Sequence, residues 1–349
     1  MLIEPTLLGQ ALTRTDVWPA TNTDAPPAPV DFARRHLLDV DDFSAAELRA
    51  VIRLAYDMRD RLAPPTTKLP TLRGRTVVNL FYENSTRTRV SFELAAKHLG
   101  ADVVNITASG SSVAKGESLL DTVRTLQALG AEVVVMRHGQ SGAPDLVARH
   151  LDGIVVNAGD GWHAHPSQAL LDLFTMHEAL GELAGKRVAI VGDILHSRVA
   201  RSNLWALTAL GAEVVLCGPP TLVPPQLAAL AAARPSPDGR ARRARVEPCL
   251  ERALAGADVV MALRLQRERQ AAGLLPSLGE YRAHFGLSAE RMALARPGAL
   301  VMHPGPMNEG VEIDPEVAHG AASVIERQVT NGVAVRMAIL TLLARARAW

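Results

Sequence analysis

The pattern of apolar and polar positions changes period repeatedly along the chain. Ser44-Ala45-Ala46-Glu47 has the form of a capping box, and Leu48, Val51, Ile52 and Ala55 follow it at helical spacing. Thr76–Phe81 is a short, mostly apolar run that reads as a strand. Thr88–Leu99 reads as a helix closed by Gly100, Ala101–Ile106 as a strand, and Ser118–Leu129 as a helix closed by Gly130. Val133–Met136 and Ile154–Val156 are further strands, and a long helix is expected over Ser167–Leu180. The alternation then restarts. Val188–Val191 is a strand, Val199–Leu210 a helix closed by Gly211, and Val214–Leu216 and Val259–Leu263 are strands. A last helix is expected from about Val333 to the end. Short apolar strands alternating with helices imply βαβ units and buried parallel sheets. The expected fold is α/β, with two doubly wound parallel-sheet domains joined by a long helix and a site in the cleft between them.

Two stretches break the alternation. Residues 1 to about 34 hold the proline-rich run Pro19–Pro29, which suits neither a helix nor an inner strand and reads as a flexible extension. Arg234–Arg240 reads as a surface loop from its proline and glycine content.

Length and charge narrow the class. The 349 residues suit two domains. A formal net charge of +1 points away from a general nucleic-acid binder or a basic membrane partner. Cys217 and Cys249 are too few for a disulfide framework and form no Cys-x-x-Cys pair, so they read as reduced thiols of a cytoplasmic protein. The longest apolar stretches meet Arg, Asp or Gly before the ~18 residues of a membrane span. No basic segment followed by an apolar core opens the chain, so no secretory signal is expected.

The strongest chemical signal lies in Phe81–Glu93, where a buried strand gives way to a helix. Free N–H groups at a helix N-terminus attract an anion. Ser85, Thr86 and Thr88 add hydroxyl donors, and Arg87 adds a planar fork that matches phosphate oxygens. A single Ser or Thr in such a place is ordinarily just a helix cap. Three hydroxyls with Arg87 and Arg89 at one turn point instead to a phosphate site.

Ser85-Thr86-Arg87-Thr88-Arg89 resembles the carbamoyl-phosphate signature of the aspartate/ornithine carbamoyltransferase family. Six further blocks follow in the family's order: Ser111–Glu117, Met136–His138, His165–Gln168, Gly192–Arg198, Leu263–Arg269 and His303–Pro306. The resemblance runs from about residue 36 to the C-terminus and is closest to the aspartate-specific members. It implies transfer of the carbamoyl group of carbamoyl phosphate to the amine of L-aspartate, the committed step of pyrimidine synthesis, with no metal or organic cofactor. Ser85, Thr86, Arg87 and Thr88 would hold the phosphate. Arg137, His165 and Thr88 would face the carbonyl oxygen, and Gln168 with the backbone around Pro304, Gly305 and Pro306 would face the carbamoyl amine. Arg198, Arg264, Gln266 and Lys115 would bind aspartate.

In the family the Ser111–Glu117 loop reaches into a neighbouring subunit, so Ser111 and Lys115 would serve the next site of a homotrimer. The implied domains are a 1–34 extension, a carbamoyl-phosphate domain over 35–166 completed by a C-terminal helix over 331–349, and an aspartate domain over 167–330. The long extension raises a larger assembly with a dihydroorotase-like or regulatory chain. Ser167 stands where Thr is more usual, and Gly305 where some members carry a larger residue, so only the backbone role of Gly305 carries over.

Rival readings leave other marks. An ornithine enzyme carries Ser-Met-Gly and His-Cys-Leu-Pro segments, which this chain lacks. His163-Ala164-His165 has the form of a metal pair, but no later constellation completes it. Val188–Asp193 opens like a dinucleotide-binding unit without completing Gly-x-Gly-x-x-Gly. A scaffold that had kept the fold without the activity has no reason to retain every expected site type.

Overall fold

The computed structural model describes residues 32–62, 68–107, 117–266 and 273–349. The Pro19–Pro29 run, Ser111, Lys115 and Arg267–Arg269 lie outside these. The first sheet is parallel, with β1 (Thr76–Phe81), β2 (Asp102–Thr107), β3 (Val133–His138) and β4 (Ile154–Asp160) in the order β2-β1-β3-β4. The second, also parallel, holds β5 (Arg187–Val191), β6 (Glu213–Cys217), β7 (Arg243–Val246), β8 (Val259–Ala262) and β9 (Leu300–Met302) in the order β7-β6-β5-β8-β9. These are the two doubly wound sheets expected.

Helices α1 (Ala45–Arg61), α2 (Thr86–His98), α3 (Leu119–Ala128) and α4 (Ala143–Ala148) belong to the first lobe. The long α5 (Pro166–Leu180) leads into the second, which carries α6 (Arg198–Ala209), α7 (Pro225–Ala233), α8 (Leu250–Leu254), α9 (Leu278–Phe285), α10 (Ala289–Met292) and α11 (Pro315–Ala318). The last helix, α12 (Ile325–Ala346), returns to pack on α1, α2 and α5. Its length and mean hydropathy of 1.3 would let it cross a membrane, yet 72% of that stretch is buried, as in a core helix.

Local chemistry explains the elements. Ser44 Oγ accepts the Glu47 N–H and Glu47 Oε2 accepts the Ser44 N–H, which closes the capping box that starts α1. Ser44→Ala is expected to cost about 1 kcal/mol of stability, read as a lower denaturant midpoint with an unchanged slope. Every residue of α5 from Pro166 to His177 is buried, so this helix is core on all faces.

Two expectations need correction. Helix α12 starts at Ile325, about two turns before Val333. Its first turns are polar, and Arg327 pairs with Glu178 at 3.0 Å while Asn331 Nδ2 donates to Thr175 Oγ1 at 3.1 Å, so α5 holds them in place. Strand β2 is not wholly buried: it is an edge strand, and Val104 is exposed. Gly192, where the sequence completes no dinucleotide motif, has a packing role instead. With φ at +135°, a Cβ there would lie 2.7 Å from Leu263 O, so glycine is what lets the ends of β5 and β8 touch backbone to backbone.

Candidate functional site

The segments that follow β1, β3, β4, β5, β8 and β9 meet around one cleft of about 640 Å³ between the two sheets. Ligands collect at this edge of parallel sheets because helix N-termini and loop backbone converge there. The cleft is lined by Ser85, Thr86, Arg87, Thr88, Arg137, His165, Gln168, Arg198, Arg264, Gln266, Pro304, Gly305 and Pro306, whereas Arg89, singled out with Arg87 at the phosphate turn, is not among its lining residues. Ser111 and Lys115 lie outside the described residues.

Ser85 bears on the two readings of the phosphate turn. It occupies the N-cap of α2, yet its side chain makes no capping hydrogen bond. Ser44, Ser118, Ser197, Ser277 and Ser288 all cap their helices with Oγ. The Ser85 hydroxyl and the first-turn N–H groups of α2 are therefore left for an anion. Arg87 stands beside them in that first turn. Burial and then the nearby Arg264 charge pull its pKa down, which an arriving dianion would reverse.

His165 sits at the N-cap of α5, ahead of Pro166, and its main-chain N–H donates to Ser202 Oγ at 2.9 Å. Burial, with Arg137, Arg198 and Arg336 next, holds its pKa well below the usual histidine range. The ring is neutral at physiological pH and has one N–H to donate. Arg137, at the end of β3, and Arg198, at the start of α6, both approach Glu83 Oε2, at 3.4 and 2.7 Å. Arg198 also donates to Gly161 O at 3.1 Å. The two guanidinium groups crowd Gly159, where a Cβ would stand 2.9 Å from Arg198 Nε and 3.4 Å from Arg137 Nη1.

The second lobe supplies Arg264 and Gln266, joined by a 3.4 Å contact from Nη2 to Oε1, with the Gln266 N–H donating to Asp193 Oδ2. After β9 the Gly305–Pro306 bond is cis, and the Gly305 N–H donates to His303 Nδ1 at 2.8 Å. Gly305 has φ of +64°, and a Cβ there would lie 2.8 Å from Arg87 Cζ. The space of a larger side chain is taken by the guanidinium.

Sequence reasoning missed four contributors. Glu83, Gln328 and Arg336 line the cleft, and Asp172 lies just beneath it, hydrogen-bonded to Gln168 and Gln328. Their signal was available as polar side chains on buried faces. Asp172 stands in the apolar run Leu170–Phe174, where a carboxylate must find partners or be neutralised.

The two histidines of His163-Ala164-His165 have different surroundings. His165 lines the cleft, whereas His163 pairs with Asp160 at 3.0 Å and Asp39 at 3.6 Å. Its hydrogen bond to Asp160, against burial, raises its pKa to about 9 from 6.5. The folded state thus favours the charged ring. Its contribution is full below pH 6.5 and is lost as pH rises through about 9. His163→Gln is expected to lower the denaturation midpoint more at pH 6 than at pH 10. The loss is modest, because the side chain is 43% exposed and screened.

Chemically, the cleft can hold a phosphate-sized anion on one lobe and carboxylates on the other. It can also place Thr88, Arg137 and His165 as donors around an oxyanion between them.

Comparison with known proteins agrees with this division. Residues 35–178 match the family model described as aspartate/ornithine carbamoyltransferase, carbamoyl-P binding domain. Residues 184–343 match the one described as aspartate/ornithine carbamoyltransferase, Asp/Orn binding domain. The chain is 60% identical to an aspartate carbamoyltransferase catalytic subunit of Chloroflexus aurantiacus, over 89% of this chain and 98% of the relative. The aspartate transcarbamoylase of Trypanosoma cruzi, solved with carbamoyl aspartate and phosphate, superposes with a TM-score of 0.79 at 33% identity, covering 90% of this chain and 97% of that one. Ornithine carbamoyltransferase from Pyrococcus furiosus gives 0.78 at 28% identity, covering 89% and 97%.

Proposed function

This chain belongs to the aspartate/ornithine carbamoyltransferase family, and from that premise we propose that it transfers the carbamoyl group of carbamoyl phosphate to the amine of L-aspartate, releasing phosphate. One observation carries the choice of acceptor. Arg198 and Arg264 line the second-lobe side of the cleft, and two cations there suit the two carboxylates of aspartate better than the ammonium of ornithine.

The roles carry over from the family resemblance, and the lining of the cleft supports them. Ser85, Thr86, Arg87 and Thr88 hold the phosphate. Arg137, His165 and Thr88 donate to the carbonyl oxygen, and this strengthens as the oxygen gains charge. Gln168 and the backbone around Pro304, Gly305 and Pro306 accept from the carbamoyl amine. Arg198, Arg264 and Gln266 orient aspartate so that its amine meets the carbonyl carbon. The new C–N bond forms, the bond from carbon to the phosphate oxygen breaks, and the amine proton leaves with phosphate or through His165. The reaction needs no metal or organic cofactor.

We assign carbamoyl phosphate to residues 35–166 with 331–349, and aspartate to 167–330, with 1–34 as an extension. A homotrimer is proposed in which Ser111 and Lys115 complete the neighbouring site, Lys115 on the aspartate side. Pyrimidine synthesis in the cytoplasm, with a dihydroorotase-like or regulatory chain as a further partner, fits the same reading.

The test is a ureido-product assay with carbamoyl phosphate and either L-aspartate or L-ornithine. Product with aspartate alone is expected, and product with ornithine alone overturns the roles of Arg198 and Arg264. Full activity in a dilute, demonstrably monomeric sample overturns the shared site.

A further inference from the structure

Asp172 is wholly buried on α5, one helical turn beyond Gln168. Its Oδ1 accepts from Gln168 Nε2 at 2.9 Å and from Gln328 Nε2 at 2.7 Å, and its Oδ2 accepts from Asn203 Nδ2 at 2.8 Å. Three amides from α5, α12 and α6 therefore converge on one carboxylate.

We propose that Asp172 is a positioning residue that makes the cleft selective for a carbamoyl group, by fixing which end of the Gln168 amide faces the substrate. The proposal rests on the carbamoyl-transfer reading above. An ionised carboxylate only accepts, so each amide must turn its NH₂ toward it and its oxygen away. For Gln328 the result is visible, since its Oε1 accepts the His303 N–H at 3.0 Å and so holds the start of the Pro304–Pro306 turn. For Gln168, which lines the cleft, the oxygen is left on the substrate side. A carbamoyl NH₂ is purely a donor and matches that oxygen. The methyl group of an acetyl analogue offers it nothing. Without the carboxylate a glutamine amide is free to present either end. Burial pushes the Asp172 pKa up to about 6, and the three amide donors and then the Arg336 charge work against that rise, so the carboxylate is mostly ionised at neutral pH.

Asp172→Asn tests this at nearly constant shape. The new amide brings its own NH₂, which needs an acceptor, and so draws a glutamine oxygen inward and turns that NH₂ outward. The full chain is assayed for the KM of carbamoyl phosphate and for the Ki of acetyl phosphate competing against it. A donor left facing a donor is expected to raise KM about 10- to 100-fold, while the acetyl phosphate Ki changes by less than about twofold. Asp172→Ser, smaller and able to donate, is expected to shift the same ratio and serves if the asparagine variant does not fold. Parallel rises in KM and Ki, or no change in either, overturn the assignment and leave Asp172 a structural hub. A wild-type chain that forms no ureido product overturns the proposed function and this assignment together.

Discussion

Replacing Arg87 with alanine is expected to lower kcat/KM for carbamoyl phosphate by about 10²–10³-fold without lowering the thermal midpoint of the free protein. The two halves of that result have one cause. Arg87 sits in the first turn of α2 beside the uncapped Ser85, and among the described residues no carboxylate pairs with it. Its charge is held partly out of water next to that of Arg264, which is why its pKa is pulled down. In the free protein Arg87 is exposed and holds no structural ion pair among the described residues, so its deletion is expected to remove binding with little effect on stability. Steady-state kinetics with a thermal melt of free enzyme checks both parts. A large fall in midpoint would mean that Arg87 is a structural ion-pair partner instead.

Arg198→Ala should behave in the opposite way. Arg198 Nη2 donates to Glu83 Oε2 at 2.7 Å and Nη1 to Gly161 O at 3.1 Å, and its side chain is buried. Its removal takes away a cation from the aspartate side and also deprives Glu83 of its nearer partner. A fall of about 10²–10³-fold in kcat/KM for aspartate is expected, with a loss of about 1–3 kcal/mol in stability. Varying aspartate at saturating carbamoyl phosphate separates this from Arg87→Ala, which should act mainly through the other substrate. If KM for aspartate is unchanged, Arg198 serves only to join the lobes.

The difference between those two arginines was invisible in the sequence. Both stand just after a strand, in blocks whose local chemistry could be read, and both line the cleft. What distinguishes them is Glu83, which meets Arg198 across 115 positions of chain. The same divide runs through the fold. The capping box of α1 and the apolar strands β1, β5 and β8 are local patterns and were legible. Strand β7 reads Arg-Ala-Arg-Val, and only its pairing along β6 makes it a strand. The first turns of α12 were not read as helix because the contacts that hold them come from α5. Asp172 was not singled out, because two of its three donors, Gln328 and Asn203, come from other helices.

The chain passes between the lobes twice, out through α5 and back through α12, and these two helices lie packed together. In mechanical terms the lobes are joined by links in parallel, not in series. A pulling force applied across the cleft would load both at once, with Arg327–Glu178 and Asn331–Thr175 sharing shear between them. Neither link can be loaded without the other, so a load across the cleft falls on this paired seam.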